Sequence, residues 1–138
     1  MQDKHILLAV LAQIILTFIA YMKLLVAKKG AEKRGEVDEA RRALHPDAWP
    51  ESVQKVNNNI RNQFEVPVLF YILVLMLYQL KAVDLLAHIG AWTFVASRYG
   101  HAFIHLGSNY VPMRRRFFML TWVSTLFLIG LVAKAILF

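Results

Sequence analysis

The chain has 138 residues, of which 58% are hydrophobic and 18% are charged, and its net charge is +7. Soluble domains average about 45–50% apolar and about 25% charged residues, so this composition excludes an ordinary soluble domain. The basic residues lie between long apolar runs, so a membrane surface explains them better than a nucleic-acid partner does. The absence of cysteine excludes disulfides, thiolate metal ligands and a cysteine nucleophile.

Four apolar segments approach the roughly 20 residues that a helix needs to cross a bilayer. The first, residues 6–26, is too long for a signal peptide and is not followed by a small-residue cleavage site, which indicates a retained span. The others are expected at about 60–80, 85–106 and 117–138. The sequence therefore predicts an all-α membrane protein, a four-helix transmembrane bundle formed by a single domain over residues 1–138.

The three connections differ in length and charge. Residues 28–58 form a long polar loop, whose middle at 36–44 is predicted to be a short helix. Lys81–Asp84 is a tight turn, so the second and third helices should be antiparallel neighbours. Residues 107–116 carry three consecutive arginines. Because lysine and arginine concentrate in the first and third connections, the positive-inside rule places the loops 28–58 and 107–116 in the cytoplasm and both termini outside.

Polar residues interrupt the apolar pattern near the predicted cytoplasmic ends of the second and third helices. Spacings of three and four residues place most members of each group on one helix face. They are Asn58, Arg61, Asn62 and Glu65 on the second helix, and Arg98, His101 and His105 on the third. Ionisable residues inside a span usually face a partner or a cavity, so the pattern predicts a polar pocket that opens to the cytoplasm.

Structural interpretations of the same residues are also open. Glu65 could pair with Arg98 or Arg61 to join two helices. The arginine triplet could only fix topology or contact anionic lipid, and this is our interpretation of Arg115 and Arg116. The two histidines are one turn apart, but no third ligand is evident, so no metal site is predicted.

Several motifs resemble those of one family. The run Arg61–Glu65, followed by Pro67, resembles the second-helix signature of the MAPEG family, the membrane-associated proteins in eicosanoid and glutathione metabolism. Arg98–His101, His105–Gly107 and Pro112–Arg114 resemble its third-helix and third-loop pattern. The resemblance covers nearly the whole chain, and the ordered set of motifs at matching depths is specific.

The resemblance implies a homotrimer with a glutathione site between neighbouring subunits, near the cytoplasmic face. Members of the family conjugate glutathione to lipophilic electrophiles, reduce lipid hydroperoxides or isomerise eicosanoids, and a few are regulatory proteins without chemistry. The expected partners are therefore glutathione as co-substrate, a lipophilic small molecule and membrane lipids. The short loops suit a bacterial inner membrane.

Individual roles follow from the same resemblance. Arg114 matches the arginine thought to activate the thiol, and we predict that it is the catalytic residue. The predicted glutathione-binding residues are Arg61, Asn62, Glu65, Arg98, His101 and His105. Three positions depart from the family pattern: Asn58 stands in place of an arginine, and His105 and Phe118 stand where tyrosines are common.

Three function classes result. The leading one is a glutathione-dependent transferase or peroxidase that acts on lipophilic electrophiles or lipid hydroperoxides. The alternative is a non-catalytic scaffold or lipid-binding protein of the same fold. The third is a small transporter or proton relay built on Glu65, Arg98 and the histidines. The argument against this class is that the polar groups cluster at one end of the bundle and leave no polar path across the membrane.

Overall fold

A computed structural model describes residues 3–138 of the chain and shows an all-helical fold. The helices are α1 (Leu7–Lys33), α2 (Glu51–Gln63), α3 (Val66–Gln79), α4 (Leu85–Leu106) and α5 (Val111–Leu137). Short 3-10 turns occupy Lys4–Ile6 and Pro46–Ala48. Because α2 and α3 are two halves of one bent helix, the chain forms four helical rods.

Three of the four rods are long and apolar enough to cross a membrane. They are Lys4–Lys33, Glu51–Gln79 and Val111–Leu137. Helix α4 has 22 residues, about 33 Å at 1.5 Å per residue, which is a sufficient length. It is not among the three apolar spans, and it carries Arg98, His101 and His105, all of which are buried inside the bundle.

Helix α1 continues past its expected end at Val26 to Lys33, and Gly35 terminates it. The N–H of Gly35 donates to the Glu32 carbonyl and the N–H of Glu36 donates to the Ala31 carbonyl, both at 3.1 Å. This pair of bonds is a Schellman motif, which needs a left-handed residue after the helix, and Gly35 has φ 66°. The first loop is therefore shorter than the sequence suggested.

The predicted short helix at 36–44 is wrong, since this segment consists of turns. The Asp38 side chain accepts the N–H of Ala40 at 3.2 Å, a local bond that competes with helix formation. Arg41 pairs with Asp47 at 2.9 Å across the loop, and Arg42 pairs with Glu32 at 2.7 Å. These bonds fold the loop back onto the end of α1.

A proline separates α2 from α3. Pro67 has no N–H, and its ring clashes with the carbonyl four residues earlier, that of Gln63. The helix accordingly ends at Gln63 and restarts at Val66, with Glu65 in a non-helical conformation between them. The bend falls beside the polar residues of α2, and it decides where their side chains lie.

The start of α5 corrects the third connection. The helix begins at Val111 with Pro112 in its first turn, a position where the missing N–H of proline does no harm. Arg114, Arg115 and Arg116 therefore belong to a helix, and the loop between α4 and α5 contains only residues 107–110.

The core lies among α1, α3, α4 and α5. The rings of Phe70 and Phe94 stack with centroids 4.3 Å apart, joining α3 to α4. Helix α4 packs most extensively on α5 because it presents small residues, as is common between membrane helices. A Cβ atom on Gly90 would lie 2.9 Å from the Phe127 ring. The Ser97 and Thr121 hydroxyls hydrogen-bond at 2.8 Å across the same interface.

The turn after α3 contains a strained residue that offers a test of the fold. Lys81 has φ 56° and occupies the left-handed position of a second Schellman motif, in which Ala82 N–H donates to the Leu77 carbonyl at 2.9 Å. We expect Lys81→Gly to raise the free energy of unfolding in detergent by about 1 kcal/mol, because glycine adopts this conformation without a Cβ penalty. Lys81→Ala removes only the charge, and a gain of the same size in that variant would contradict the prediction.

Candidate functional site

A cavity of about 400 Å³ lies between α2, α4 and α5. It sits at the end of the bundle where α1 ends and α2 begins, and where the loop 107–110 joins α4 to α5. Lys55 ties α2 to that loop by donating from Nζ to the Gly107 carbonyl at 3.3 Å. The cavity is lined by Asn58, Asn62, His101, His105, Val111, Arg114, Arg115 and Phe118.

The lining consists of one helical stripe from each of three helices. Asn58 and Asn62 are four residues apart on α2, and His101 and His105 are four apart on α4. On α5 the stripe has the spacing i, i+3, i+4 and i+7, which places its four members on one face. Its members are Val111, Arg114, Arg115 and Phe118. Three amphipathic faces thus converge on one space.

Four of the predicted site residues share this cavity: Asn62, His101, His105 and Arg114. The Arg114 guanidinium is anchored by a hydrogen bond from Nη1 to the Asn109 side-chain oxygen at 2.7 Å. Asn109 follows α4 with φ 53°, a conformation that asparagine tolerates better than most residues do. The loop thereby orients the arginine at the cavity.

Arg98 lies elsewhere. Its side chain is 1% exposed and is not part of the cavity lining. Its Nη2 donates to the backbone carbonyl of Asn62 at 3.2 Å. The last four carbonyls of a helix have no partner within the helix, so Arg98 caps the end of α2 at the bend before α3. It holds Asn62 in place from behind the cavity.

Arg61 and Glu65 are exposed on the outer surface of the bend and do not line the cavity. Within residues 3–138, Glu65 forms no direct ion pair with Arg61 or Arg98. The interhelical pair that the sequence left open is therefore not formed in this chain. Both charges belong to a stretch that is apolar enough to span a membrane, so they are the charges that most need a partner.

The two histidines occupy the inner wall of the cavity. Their ring centroids are 5.6 Å apart, and the His101 ring lies 6.0 Å from that of Phe118. His101 is 3% exposed and its Nδ1 has no hydrogen-bond partner in the described part of the chain. A buried polar atom without a partner is unusual in a native structure, and this nitrogen has almost no accessible surface of its own.

Sequence reasoning missed Val111, Arg115 and Phe118 as lining residues, whereas Asn58 belonged to the polar group expected at the pocket. Phe118 was noted only as a departure from a family pattern, and Arg115 was interpreted as a topology determinant. A signal for Arg115 was present, because Pro112 marks the first turn of a helix. A helix that begins there brings Arg115 and Phe118 onto the face of Arg114.

The charge of the cavity favours an anionic ligand. Arg114 and Arg115 contribute two guanidinium groups, and no carboxylate is among the lining residues from the described range, 3–138. Guanidinium groups bind carboxylates through paired hydrogen bonds. Asn58 and Asn62 add amide donors and acceptors, while Val111 and Phe118 form an apolar side.

Comparison with known proteins places the chain in a family. The MAPEG family model matches residues 6–134, nearly the full length of the chain. The chain belongs to the MAPEG family, and the resemblance noted in its sequence is confirmed. No curated protein and no solved structure matches the chain significantly.

Membership sets the class of protein. Together with the three apolar helices, it makes the chain an integral membrane protein. The family uses glutathione, and it includes glutathione transferases and peroxidases as well as non-catalytic members.

Proposed function

We propose that the chain binds glutathione in the cavity between α2, α4 and α5, and acts as a transferase or peroxidase on lipophilic electrophiles or lipid hydroperoxides. The observation that carries this proposal is the convergence of Asn62, His101, His105 and Arg114 on one cavity. These residues come from three helices, and the sequence alone predicts all four as site residues.

The cavity suits this ligand in size and charge. Small-molecule sites have volumes of about 300–1,000 Å³, and this cavity has about 400 Å³. Glutathione carries two carboxylates, and the guanidinium group of Arg115 can bind one of them.

Each residue then has a defined task. When bound, glutathione supplies a thiol that is reactive as the thiolate. The Arg114 guanidinium would place a positive charge beside the sulfur, and a nearby cation lowers the pKa of a thiol from about 8.5. Asn62, His101 and His105 orient the peptide by hydrogen bonds. Arg98 acts indirectly, through the carbonyl of Asn62.

Arg61 and Glu65 fit the proposal if the site is completed by another copy of the chain. Both are exposed in the single chain, and a charge that faces lipid is unfavourable. A neighbouring subunit in the homotrimer would cover them, and Glu65 would then accept the glutathione ammonium group while Arg61 binds a carboxylate. This arrangement places the site between subunits.

A lipophilic partner has a separate approach. An apolar groove of about 640 Å³ runs along the outside of α1 and α2, with Lys23 and Lys55 as its only charged lining residues in the described chain. The groove lies on a face of α2 adjacent to the one that carries Asn58. A membrane-dissolved electrophile or hydroperoxide can therefore approach from lipid. The basic loops put the cavity on the cytoplasmic side, in a bacterial inner membrane under our proposal.

Calorimetric titration of the detergent-solubilised protein with glutathione tests the proposal. We expect saturable binding that is lost or weakened by about tenfold or more in Asn62→Ala and Glu65→Gln, since each loses a hydrogen bond to a charged ligand. Asn57→Ala is the matched control, because Asn57 lies on the same helix but outside the cavity lining. Absence of binding by the unaltered protein at millimolar glutathione would refute the proposal.

One observation favours a second candidate, a non-catalytic member of the same family. No hydroxyl group lines the cavity within the described residues, because His105 and Phe118 stand where tyrosines are common in the family. Such a protein would bind glutathione in the titration but show no turnover with any electrophile or hydroperoxide.

A further inference from the structure

A buried line of side-chain amides connects α1 to the cavity. Gln13 Nε2 donates to Gln63 Oε1 at 3.0 Å, and Gln63 Nε2 donates to Asn59 Oδ1 at 3.3 Å. The line ends at His105, whose Nδ1 lies 3.3 Å from Asn59 Nδ2. It joins three helices, since Gln13 is on α1, Gln63 and Asn59 are on α2, and His105 is on α4.

These amides are fully inside the bundle and do not touch the cavity. Gln13 and Asn59 are 0% exposed and Gln63 is 1% exposed, and none of the three lines the cavity. Burying an amide is unfavourable unless it is hydrogen-bonded, so three in succession are expensive in a small core. The glutathione contacts proposed above use none of them. Their common feature is that they end on His105.

The order of donors and acceptors along the line determines which ring nitrogen of His105 carries a hydrogen. An amide NH₂ group can only donate, so Nδ1 of His105 must accept and carries no hydrogen. The ring is then the neutral tautomer with its hydrogen on Nε2. The reverse direction would leave the NH₂ group of Gln13, with two donors, unpartnered in the core. The observed direction leaves only the carbonyl oxygen of Gln13 without a partner, and unpartnered acceptors are better tolerated than donors.

We propose that Gln63 and Asn59 are positioning residues that hold His105 in the Nε2–H tautomer. Because Nδ1 is occupied by Asn59, Nε2 is the nitrogen that the ring can offer to the cavity. As an N–H it donates to an anionic oxygen, whereas the other tautomer would present a lone pair and repel that oxygen. Selection of a donor matches the two guanidinium groups that line the same space. The identity of the anion as glutathione rests on the proposed function, but the tautomer does not.

The tautomer is measurable by nitrogen NMR of the full-length protein labelled with ¹⁵N-histidine in detergent. An unprotonated ring nitrogen resonates far from a protonated one, and His105→Phe identifies the signals of His105. We expect Nε2–H in the unaltered protein without any ligand. Gln63→Leu should abolish this preference, because Asn59 is then free to turn its oxygen toward His105. The double variant Gln13→Leu/Gln63→Leu should do the same without leaving Gln13 unpartnered.

Binding of glutathione supplies the second readout. In Gln63→Leu we expect the dissociation constant to rise about tenfold, the effect of losing one hydrogen bond to a charged group. Gln54→Leu is the matched control, since Gln54 is on the same helix and its Nε2 donates to the Trp49 carbonyl at 2.7 Å, away from the cavity. We expect neither the tautomer nor the affinity to change in this variant.

Several outcomes would overturn the inference. An Nδ1–H tautomer in the unaltered protein would contradict the direction of the amide line. Retention of Nε2–H in both variants that lack Gln63 would show that the amides do not select the tautomer. A changed tautomer with unchanged affinity would remove the link to the ligand. If the tautomer behaves as expected but glutathione does not bind to the unaltered protein, the positioning role stands and the proposed function fails.

Discussion

Replacing Arg114 with alanine is expected to lower the rate of glutathione conjugation on the order of 100-fold, the usual effect of removing one preorganised group that stabilises an anion. Arg114 lines the cavity and is held there by Asn109 through a 2.7 Å hydrogen bond. Under our proposed function, the bound thiol then lacks the cation that favours its thiolate form. At neutral pH, where the free thiol is mostly protonated, the reactive fraction then falls.

The measurement separates binding from activation. Ultraviolet absorbance of the bound thiolate, recorded against pH, gives the pKa of the thiol, and steady-state kinetics with a soluble aromatic electrophile give kcat and KM. In Arg114→Ala we expect a higher thiol pKa and a lower kcat. Arg114→Lys should recover part of the rate, because the charge is retained but the planar fork is lost.

Arg116 offers a matched control on the same helix. It is exposed and is not part of the cavity lining, so Arg116→Ala should leave the rate and the thiol pKa unchanged. A wild-type rate in Arg114→Ala would assign thiol activation to another group. An equal loss in Arg116→Ala would indicate that the basic turn of α5 acts only through its net charge.

The helical segments were predictable because their signals are local. The apolar run of α4 is bounded by the cap Asp84, whose side chain accepts the N–H of Ala87 at 2.8 Å, and its predicted limits of 85–106 are those of the helix. Helix α2 begins at Glu51, earlier than the predicted start at about residue 60. Its first turns are amphipathic and polar, so the apolar pattern does not include them. The loop at 36–44 was mispredicted because its conformation depends on contacts with residues outside the segment, such as the ion pairs from Arg41 to Asp47 and from Arg42 to Glu32.

The candidate site was predictable as a set of residues and less so as a geometry. Helical spacing predicted that His101 and His105 share one face, and the family resemblance added Arg114. These three residues and Asn62 line one cavity in the structure. Arg98 is three residues before His101 and was expected to line the same pocket. Its side chain instead lies outside the cavity, because the bend at Pro67 leaves the Asn62 carbonyl free to accept its hydrogen bond. The amides that contact His105 were not identified, since a lone glutamine or asparagine in a span carries no sequence signal of its partner.

Substituting Gly100 with alanine is expected to destabilise the bundle by about 1–3 kcal/mol, the usual effect of overpacking a tight interface. A Cβ atom at this position would lie 2.4 Å from Cε1 of the Phe117 ring, well inside van der Waals contact. The ring or the whole helix α5 must therefore move. Because Phe118 follows directly and lines the cavity, the shift should also weaken glutathione binding under our proposed function.

Chemical unfolding of the detergent-solubilised variants, followed by circular dichroism, measures this effect. Gly130→Ala is the matched control, since a Cβ atom there meets nothing within 4 Å and alanine favours a helix over glycine by about 0.5–1 kcal/mol. The two Gly→Ala changes should therefore have opposite signs. In Gly100→Ala/Phe117→Ala the loss of the ring removes the clash, so the double variant should be more stable than the sum of the two single changes predicts. If the two single changes in the free energy of unfolding simply added up in the double variant, the contact between Gly100 and Phe117 would not set the distance between α4 and α5.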